Sequence, residues 1–349
     1  MSNTPILSIC IPTYNSAEEI LRKAKDLLSV KSNLFQLVIS DNHSNDDTIK
    51  RLSAINDDRL KIVALDDNKG STYNIASAYA NSDGKFAMVC MDKDIVKAER
   101  IEEAIKILES SEINFGYFEL DTDNENKNDA ISLSEGVEDC LHRFAYKSLH
   151  PSGTFFKKEL INDFCDYHLA DEKIVGGFIT DFMFAEASLS GNGAVINLAL
   201  IKTVKPPFKG KKHSYTYSPQ KNNVFFEPVQ RFIMLEKYIK HLKSLNLDNS
   251  LEIKILNQAV FTTFFHSTES YAYILKQKNI CDWYNVEARE LSKKEYKNIC
   301  FDFIKKLSQS NFYQNTDNKK KILKKLIKKA KVSFIDKILL RFLISKGNL

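Results

Sequence analysis

The chain has 349 residues, 43% of them hydrophobic and 27% charged, so it is long enough for an α/β domain followed by a second region. This composition is typical of globular proteins and excludes a disordered or fibrous chain. The formal net charge is +5, but residues 317–349 carry eleven basic side chains against two acidic ones, so the positive charge is concentrated in this segment.

The sequence shows no sign of export or of a membrane span. Its first residues lack the basic region and cleavage site of a secretory signal, and no segment approaches the ~18 uninterrupted apolar residues that a span requires. The six cysteines are scattered without metal-type spacing, so we expect reduced, buried thiols. We therefore expect a cytoplasmic protein.

Short apolar runs alternate with amphipathic stretches over roughly the first 115 residues. This alternation predicts a mainly parallel sheet with helices on both faces. Ser16 and Glu19 have capping-box spacing and predict the start of the first helix. The predicted strands are 7–11, 37–39, 60–64 and 86–90. The predicted helices are 17–30, 71–80 and 97–110, together with a helix that begins after a cap at 44–47.

The α/β pattern continues to about residue 205 and then becomes helical. Further strands are expected at 113–120 and 194–204, with a loop at 121–130, a helix at 178–189 and a loop at 206–213. Residues 153–156 also belong to the α/β part. Helices are expected near 228–244, 250–278, 286–308, 318–331 and 333–346. We therefore predict an α/β domain at 1–210 and a helical region at 211–349, whose tail, 318–349, is basic and amphipathic.

Polar residues follow each of the first four predicted strands, at 12–15, 41–43, 66–68 and 92–94. In open α/β sheets, ligands bind beyond the carboxyl ends of the strands, so this edge is the expected binding site. Residues two apart in extended backbone point to the same side, so Asp92 and Asp94 could face one Mg²⁺ or Mn²⁺. Such a cation would offset the charge of a leaving diphosphate. The alternative is an ordinary acidic surface turn.

Four motifs at these positions, in order and in spacing, resemble the inverting glycosyltransferases of family 2, of the bacterial surface-polysaccharide type. The resemblance covers about the first 110 residues and continues weakly to about 205. It implies the GT-A fold, a Rossmann-like sheet flanked by helices. The matching motifs are residues 8–15, 38–48, 68–70 with Asn74, and 83–86 leading into 91–94.

The resemblance implies roles for residues that hold the nucleotide-sugar donor. Asp41 would accept a hydrogen bond from the base, Asp92 would contact the ribose or sugar, and Asp94 would bind Mn²⁺ or Mg²⁺ together with Asp92 and His213. The alternatives are packing for Tyr14, a turn for Asp41 and solvent for His213. The implied donor-binding set is Pro12, Thr13, Tyr14, Asn15, Asp41, Asn68, Gly70, Asn74, Asp92, Lys212 and His213.

Inversion requires a carboxylate that removes the proton of the acceptor hydroxyl. Asp181 occupies the place of this base in the resembled family, whereas Thr180 stands where that family usually has Glu. The alternative for Asp181 is electrostatic stabilisation of a helix N-terminus. Ser152 and Thr154, in a segment that resembles the floor of the acceptor site, are the expected acceptor contacts.

The implied function is sugar transfer from a nucleotide-diphosphate donor, a UDP-sugar, to a glycan or lipid-linked saccharide in cell-surface polysaccharide biosynthesis. The Gln-x-x-Arg-Trp motif of processive synthases is absent, which favours single additions. A catalytically silent, nucleotide-sugar-binding partner subunit is the alternative, because Thr180 departs from the family pattern. A dehydrogenase is disfavoured, since no Gly-x-Gly-x-x-Gly follows the first strand.

Lysine clusters alternate with apolar residues across the tail. This pattern predicts two interfacial amphipathic helices on an anionic membrane, at the inner face of the cell membrane. The alternative is packing on the protein with the lysines in solvent. Nucleic-acid binding is disfavoured, because the tail lacks arginine-rich or interleaved aromatic character. Assembly into a homo-oligomer is left open.

Overall fold

The computed structural model describes residues 4–121, 130–170, 179–204, 224–310 and 319–345. The chain divides into two compact units, Met1–Lys221 and Asn222–Leu349. The predicted boundary between residues 210 and 211 lies outside the described residues and stays a prediction.

The first unit is an α/β structure whose elements follow the predicted order. Its strands are β1 Leu7–Thr13, β2 Phe35–Asp41, β3 Leu60–Ala64, β4 Phe86–Val89, β5 Ile95–Val96, β6 Phe115–Asp121, β7 Ala130–Glu135, β8 Thr154–Lys157 and β9 Asn192–Lys202. Its helices are α1 Ala17–Leu28, α2 Thr48–Leu52, α3 Ser71–Ala80, α4 Ile101–Ser110, α5 Val137–Phe144, α6 Asn162–Ala170 and α7 Ile179–Ala187.

Within the described residues, the nine strands form one sheet in the order β3-β2-β1-β4-β8-β6-β9-β5, with β7 paired to β9. The predicted parallel pairing holds from β3 to β4 and again between β6 and β9. The other pairs are antiparallel, so the sheet as a whole is mixed. The chain places β2 and β3 on one side of β1 and then returns to place β4 on the other. This reversal creates a crevice beyond the carboxyl ends of β1 and β4.

The central strands are buried because their sequences are almost continuously apolar. Every residue of β1 and β2 is buried, as expected for parallel strands covered on both faces. On α1, Ile20, Ala24 and Leu27 recur at helical spacing and are buried. These elements hold the carboxyl ends of β1 and β4 in a rigid frame.

The predicted capping box at the start of α1 is wrong. The Ser16 side chain makes no cap hydrogen bond. The backbone N–H of Ala17 instead donates to Asp46 Oδ2 at 3.1 Å, from the loop that precedes α2. The Ser16 hydroxyl is therefore available for another partner.

The second unit is helical, as predicted. Its helices are α8 Pro228–Ser244, α9 Asn249–Phe265, α10 Tyr271–Leu275, α11 Lys278–Trp283, α12 Lys293–Gln309, α13 Lys319–Lys329 and α14 Phe334–Ser345. A π-helical stretch, His266–Ser270, joins α9 to α10. The predicted helix at 286–308 begins later, at Lys293, where Ser292 and Glu295 form a capping box.

No helix in the described ranges has the length and apolar character needed to cross a membrane. All six cysteines are buried and free, which confirms the expectation of reduced thiols.

Candidate functional site

The Asp92-Lys93-Asp94 segment lies at the carboxyl end of β4, within the crevice. It is a turn, since the N–H of Asp94 donates to the carbonyl oxygen of Met91 at 2.9 Å. The premise that this segment is extended, with both carboxylates on one side, is therefore wrong. The two carboxylates contact different elements.

Asp92 faces the end of β1 and the start of α1. Its Oδ2 accepts a hydrogen bond from the Ser16 hydroxyl at 2.8 Å and a longer one from the Thr13 hydroxyl at 3.4 Å. The ammonium group of Lys23, on α1, donates to the Asp92 carbonyl oxygen, and Lys23 is only 7% exposed. A buried cation and two hydroxyls thus hold this turn against the first strand.

Asp94 is fully enclosed, at 0% exposure. Its Oδ2 accepts a hydrogen bond from the Ser152 hydroxyl at 2.5 Å, and its Oδ1 accepts one from the backbone N–H of Val204 at 3.1 Å. The Lys93 ammonium lies 3.2 Å from the same Oδ1, and His150 Nε2 lies 3.6 Å from Oδ2. Burying this carboxylate is tolerable because donors surround it.

His150 stands between two charges of opposite sign. Its Nε2 lies 3.2 Å from the Lys93 ammonium. Burial, and then the charge of Lys93, lower the pKa of His150 to about 4, although Asp94 acts in the opposite direction. The imidazole is therefore neutral at neutral pH, and the positive charge beside Asp94 is that of Lys93.

A divalent cation at Asp94 would have to displace the Lys93 ammonium. Within the described residues, no three His, Cys, Asp or Glu side chains form a cluster that could hold a metal. The Lys93 ammonium, with 28% of its side chain exposed, already acts as a cation at Asp94. Asp94, with the partly exposed Asp92 nearby in the turn, would supply oxygen ligands of the kind that Mg²⁺ and Mn²⁺ prefer.

Three asparagines join the ends of β1, β2 and β3. Asn74 Nδ2 donates to the Thr13 carbonyl oxygen at 3.1 Å, and the N–H of Asn42 donates to the same oxygen at 3.0 Å. Asn42 Nδ2 donates to Asn68 Oδ1 at 2.8 Å, and that oxygen also accepts from the N–H of Gly70 at 3.1 Å. These partners fix which way the amides of Asn68 and Asn74 point.

Two atoms of this network have no hydrogen-bond partner among the described residues: the buried Asn68 Nδ2 and Asn74 Oδ1. Leaving a buried amide atom unpaired costs about 1–3 kcal/mol, so such atoms call for an explanation. One atom is a donor and the other an acceptor.

The other residues expected to contact the base lie at the same strand ends. Pro12 and Thr13 end β1 and are buried, Tyr14 is half-buried, and Asn15 has a positive φ of 48°. Gly70 has a φ of 86° and precedes α3.

Asp41 is 1% exposed and accepts hydrogen bonds from Ser44, through its N–H at 2.9 Å and its hydroxyl at 2.5 Å. Burial raises the pKa of Asp41, and the Ser44 hydrogen bonds oppose this. In this structure Asp41 stabilises the turn after β2, and its contact with a base stays a prediction.

Residues 148–152, which we call the bridging loop, lie between α5 and β8 in the chain and contact both the turn after β4 and α7. Ser152 at one end binds Asp94, and the N–H of Ser148 at the other end donates to Asp181 Oδ1 at 2.9 Å. Gly153 ends the loop with a φ of 92°, and a Cβ there would meet the Phe118 carbonyl oxygen at 2.6 Å. One short loop therefore holds both the predicted metal ligand, Asp94, and the predicted base, Asp181.

Asp181 lies in the first turn of α7, as predicted, and is 1% exposed. Ser152 and Thr154 are both 0% exposed, and their contact with an acceptor stays a prediction. The Thr154 hydroxyl donates to the Pro151 carbonyl oxygen at 2.7 Å. The bridging-loop residues that solvent reaches are Ser148, Leu149, His150 and Pro151. Lys212 and His213 lie outside the described residues.

Residues 8–167 match the protein-family model described as glycosyl transferase family 2. Over this region the chain is similar to glycosyltransferase family 2. This finding confirms the resemblance drawn from the four strand-end motifs, and the family 2 match includes both the Asp92–Asp94 turn and the bridging loop.

Two curated proteins are similar over the same region. The succinoglycan biosynthesis protein ExoO of Rhizobium meliloti (strain 1021) is 23% identical over 159 residues, which is 46% of each chain. The Escherichia coli protein named UDP-Glc:alpha-D-GlcNAc-diphosphoundecaprenol beta-1,3-glucosyltransferase WfgD is 25% identical over 121 residues, 35% of this chain and 48% of WfgD. The match thus spans about half the length of each curated relative.

Solved structures of S. aureus TarS share the fold. TarS 1-349 in complex with UDP-GlcNAc has a TM-score of 0.61 and 14% identity, covering 98% of this chain and 92% of that chain. TarS 1-349 without a named ligand has a TM-score of 0.58 and 13% identity, with 98% and 91% coverage. The predicted GT-A fold is therefore confirmed.

Sequence reasoning missed several residues of the site. Ser16 was assigned to a helix cap, and Lys23, Lys93 and Ser148 were given no role in the site. Lys23 carried a signal, because it occupies a position of the apolar stripe Ile20-Lys23-Ala24-Leu27, where a lysine is out of place. For Ser148, the surrounding sequence gives no signal of a role in the site.

Proposed function

We propose that this chain is an inverting glycosyltransferase that moves a sugar from a UDP-sugar to a glycan or polyprenyl-linked saccharide during cell-surface polysaccharide biosynthesis. The observation that carries the proposal is the pair of unpartnered amide atoms, Asn68 Nδ2 and Asn74 Oδ1, beside the crevice of a domain that is similar to family 2. The names of ExoO and WfgD support the pathway class, and that of WfgD supports a lipid-linked acceptor.

A uridine donor suits the two amide atoms. Uracil presents carbonyl oxygens that accept hydrogen bonds and one N–H that donates, which complements an amide N–H and an amide oxygen. The UDP and UDP-GlcNAc complexes of TarS, which shares the fold, agree with this choice of nucleotide.

Asp181 is the proposed general base. In the proposed step, the acceptor oxygen attacks the anomeric carbon, its proton passes to the Asp181 carboxylate, and the bond to the diphosphate breaks. Since Asp181 is 1% exposed and held by Ser148, we expect acceptor binding to displace the bridging loop from this carboxylate. The base would then be uncovered only when an acceptor is present.

A divalent cation, Mn²⁺ or Mg²⁺, is proposed at Asp94, with Asp92 nearby, in exchange for the Lys93 ammonium. When bound, it would offset negative charge on the diphosphate leaving group. Lys23 and Ser16 would keep the turn in place through Asp92. The proposed contribution of Lys212 and His213 to the diphosphate or to the metal concerns residues outside the described ranges.

A silent partner subunit that binds nucleotide sugar without transferring it is the second candidate. The enclosure of Asp181 and the presence of Thr180 before it favour this candidate. We place the enzyme, or this subunit, at the inner face of the cell membrane, where a polyprenyl-linked saccharide would be accessible.

The test is a thermal-shift and calorimetry panel of UDP, dTDP, GDP, CDP and CMP, each with and without Mn²⁺. A ligand at about 100 times its Kd stabilises by roughly 2.7 kcal/mol, a shift of several degrees. UDP should raise the melting temperature of the native protein, and it should bind the Asn74→Ala variant more weakly than the native protein. The matched control is Asn81→Ala, since Asn81 lies just after the same helix and its side chain donates to the Ser77 carbonyl oxygen.

Binding of UDP with transfer or slow donor hydrolysis supports the enzyme. Binding without either reaction, at any acceptor tried, supports the silent subunit. No shift with any of the five nucleotides would contradict both candidates.

A further inference from the structure

The C-terminal segment contains apolar side chains in water where a folded protein normally buries them. Phe334 is 75% exposed, Ile335 76% and Ile338 50%. They lie one residue and one turn apart near the start of α14, so they share one face of the helix. Leu340, which lies on the opposite face, is 0% exposed and anchors the helix to the protein. We call Phe334, Ile335 and Ile338 the apolar trio.

The neighbouring helix, α13, uses its faces in the opposite way. Its apolar residues Ile322, Leu323, Leu326 and Ile327 are at most 4% exposed, and the helix packs against α9 and α12. The prediction that this apolar stripe enters a membrane is therefore wrong. The alternative stated with it, a packed helix with its lysines in solvent, is what the structure shows for α13.

The lysines of α13 form a dense positive surface. Among the side chains of α13 that the structure describes, six lysines are exposed: Lys320, Lys321, Lys324, Lys325, Lys328 and Lys329. Lys329 lies 4.9 Å from the centre of the Phe261 ring, and Lys337 of α14 donates to the Lys328 carbonyl oxygen at 3.2 Å. The others make no ion pair with any described residue. These lysines therefore form a positively charged surface that has no carboxylate partner among the described residues.

The apolar trio is fixed beside these lysines. Asp336 is paired with Lys297 of α12 and accepts a hydrogen bond from Ser333 at 2.7 Å, so the start of α14 is held in place. Lys331, between the two helices, is paired with Glu269. The exposure of the trio is thus a property of an ordered helix, not of a frayed end.

We infer that the lysine face of α13 and the apolar trio of α14 form a docking surface for an anionic phospholipid membrane. Lysines placed near a negatively charged headgroup layer gain attraction, and a phenylalanine with two isoleucines suits the boundary between headgroups and acyl chains. A nucleic acid would attract the lysines, but it has no apolar layer in which two exposed isoleucines could be buried. This inference concerns binding, and it stands whether or not the proposed transfer reaction occurs.

The experiment is flotation of the full chain with vesicles of phosphatidylcholine, with and without about 30% phosphatidylglycerol. We expect binding to the anionic vesicles only, and we expect it to fall steeply as salt rises from about 0.1 M to about 1 M. Replacing the trio (Phe334→Ser, Ile335→Ser, Ile338→Ser) should lower partitioning at least ~10-fold. Replacing Lys320, Lys321, Lys324 and Lys325 by Gln should lower it ~10²-fold or more.

Matched controls come from the same unit. Phe265→Ser with Tyr273→Ser removes two other exposed large side chains, which are 53% and 64% exposed. Lys293→Gln with Lys294→Gln removes two other exposed lysines. Both controls should float like the native protein, and circular dichroism should show every variant folded.

Other outcomes would overturn the inference. Equal flotation with neutral and anionic vesicles, or native-like flotation of both surface variants, would remove the membrane assignment. Duplex DNA or RNA that binds at the same salt and competes with vesicles, with the trio variant unaffected, would assign the lysines to nucleic acid. Self-association that the trio variant abolishes, without vesicle binding, would assign the trio to a second copy of this chain.

Discussion

The crevice of the first unit and the C-terminal helices of the second depart from ordinary burial in opposite directions. In the crevice, polar side chains such as Asp94, Asn74 and Lys23 are at most 7% exposed. On α14, apolar side chains such as Phe334 and Ile335 are at least 75% exposed. Both arrangements cost free energy in the isolated chain, since unpaired buried polar atoms and exposed large apolar groups each destabilise a fold.

The difference indicates what each region binds. Buried hydroxyls, amides and carboxylates, nearly all of them paired, make a rigid and directional site that suits a nucleotide with a few specific groups. An apolar trio beside lysines has no such directionality and suits an extended surface of one charge. Asn68 and Asn74 belong to the first kind of region, and each keeps one buried amide atom without a hydrogen-bond partner among the described residues.

The largest effect is expected from Asp181→Asn, which keeps an oxygen acceptor for Ser148 but removes the base. We expect transfer to fall about 10²–10⁴-fold while UDP binding stays unchanged. Rates with saturating donor and calorimetric titration of UDP measure the two effects separately. Asp139→Asn is the matched control, because Asp139 also lies in the first turn of a helix, α5, but is exposed. Native-like transfer by Asp181→Asn would leave Asp181 with a structural role alone.

Leu326→Ala tests whether the apolar face of α13 is packed in solution. Leu326 is 0% exposed, so its truncation should destabilise the protein by about 2–5 kcal/mol through lost burial and a residual cavity. Urea denaturation measures this, with the exposed Lys325→Ala expected to lie within about 0.5 kcal/mol of the native protein. An equally small effect of Leu326→Ala would return this face to the membrane and weaken the contrast between α13 and α14.

Glu186, on α7, is a partly buried carboxyl of the first unit that lies outside the donor network. Burial, and then the charge of Asp163, raise the pKa of Glu186 from 4.5 to about 7. Between these pH values the native state binds more protons than the unfolded state, so this group makes stability fall as pH rises through this range. Glu186→Gln should therefore be more stable than the native protein by about 1–2 kcal/mol above pH ~7.

Below pH ~4.5 the advantage of Glu186→Gln should vanish, because the carboxyl is then protonated in both states. Thermal melts across this range, with the exposed Glu109→Gln as control, would show the trend. A difference independent of pH would mean that packing, not ionisation, dominates at this position.

The smallest effect is expected from Lys93→Met at the proposed cation site. Removing the ammonium from Asp94 should strengthen Mn²⁺ binding in the presence of UDP about 3- to 10-fold, since ion and lysine compete for one carboxylate. Electron paramagnetic resonance of free Mn²⁺ measures this. Lys97→Met is the control, because Lys97 pairs with Asp121 instead. Weaker Mn²⁺ binding by Lys93→Met would show that the lysine assists the site.

The sequence predicted the order of most helices and strands, because their periodicity is local. Edge elements were missed. β5 has two residues, β7 has six, and α5 and α6 have eight and nine, so each of these elements is short. The antiparallel half of the sheet was also missed, since the direction in which distant strands pair is not visible in their composition.

The motif residues lie at the predicted edge of the sheet, but the motifs did not predict their hydrogen-bond partners. Ser16 was expected to cap α1, yet it donates to Asp92, which is 76 residues away in the chain. Ser152 and Thr154 were expected to face an acceptor, yet both are enclosed. A short polar side chain serves a cap, a turn or a carboxylate equally well, so only its neighbours decide among them.

Local patterns in the amino-acid sequence were enough to predict that polar motifs would follow the first strands of the sheet and that a basic amphipathic segment would lie near the C-terminus. Both patterns can be read from the sequence, since strand and helix periods act over a few residues. Only the folded chain shows that the bridging loop holds Asp94 and Asp181 together, and that α13 buries its apolar face while α14 exposes its trio. These choices depend on contacts between residues far apart in the chain, which local periodicity does not encode.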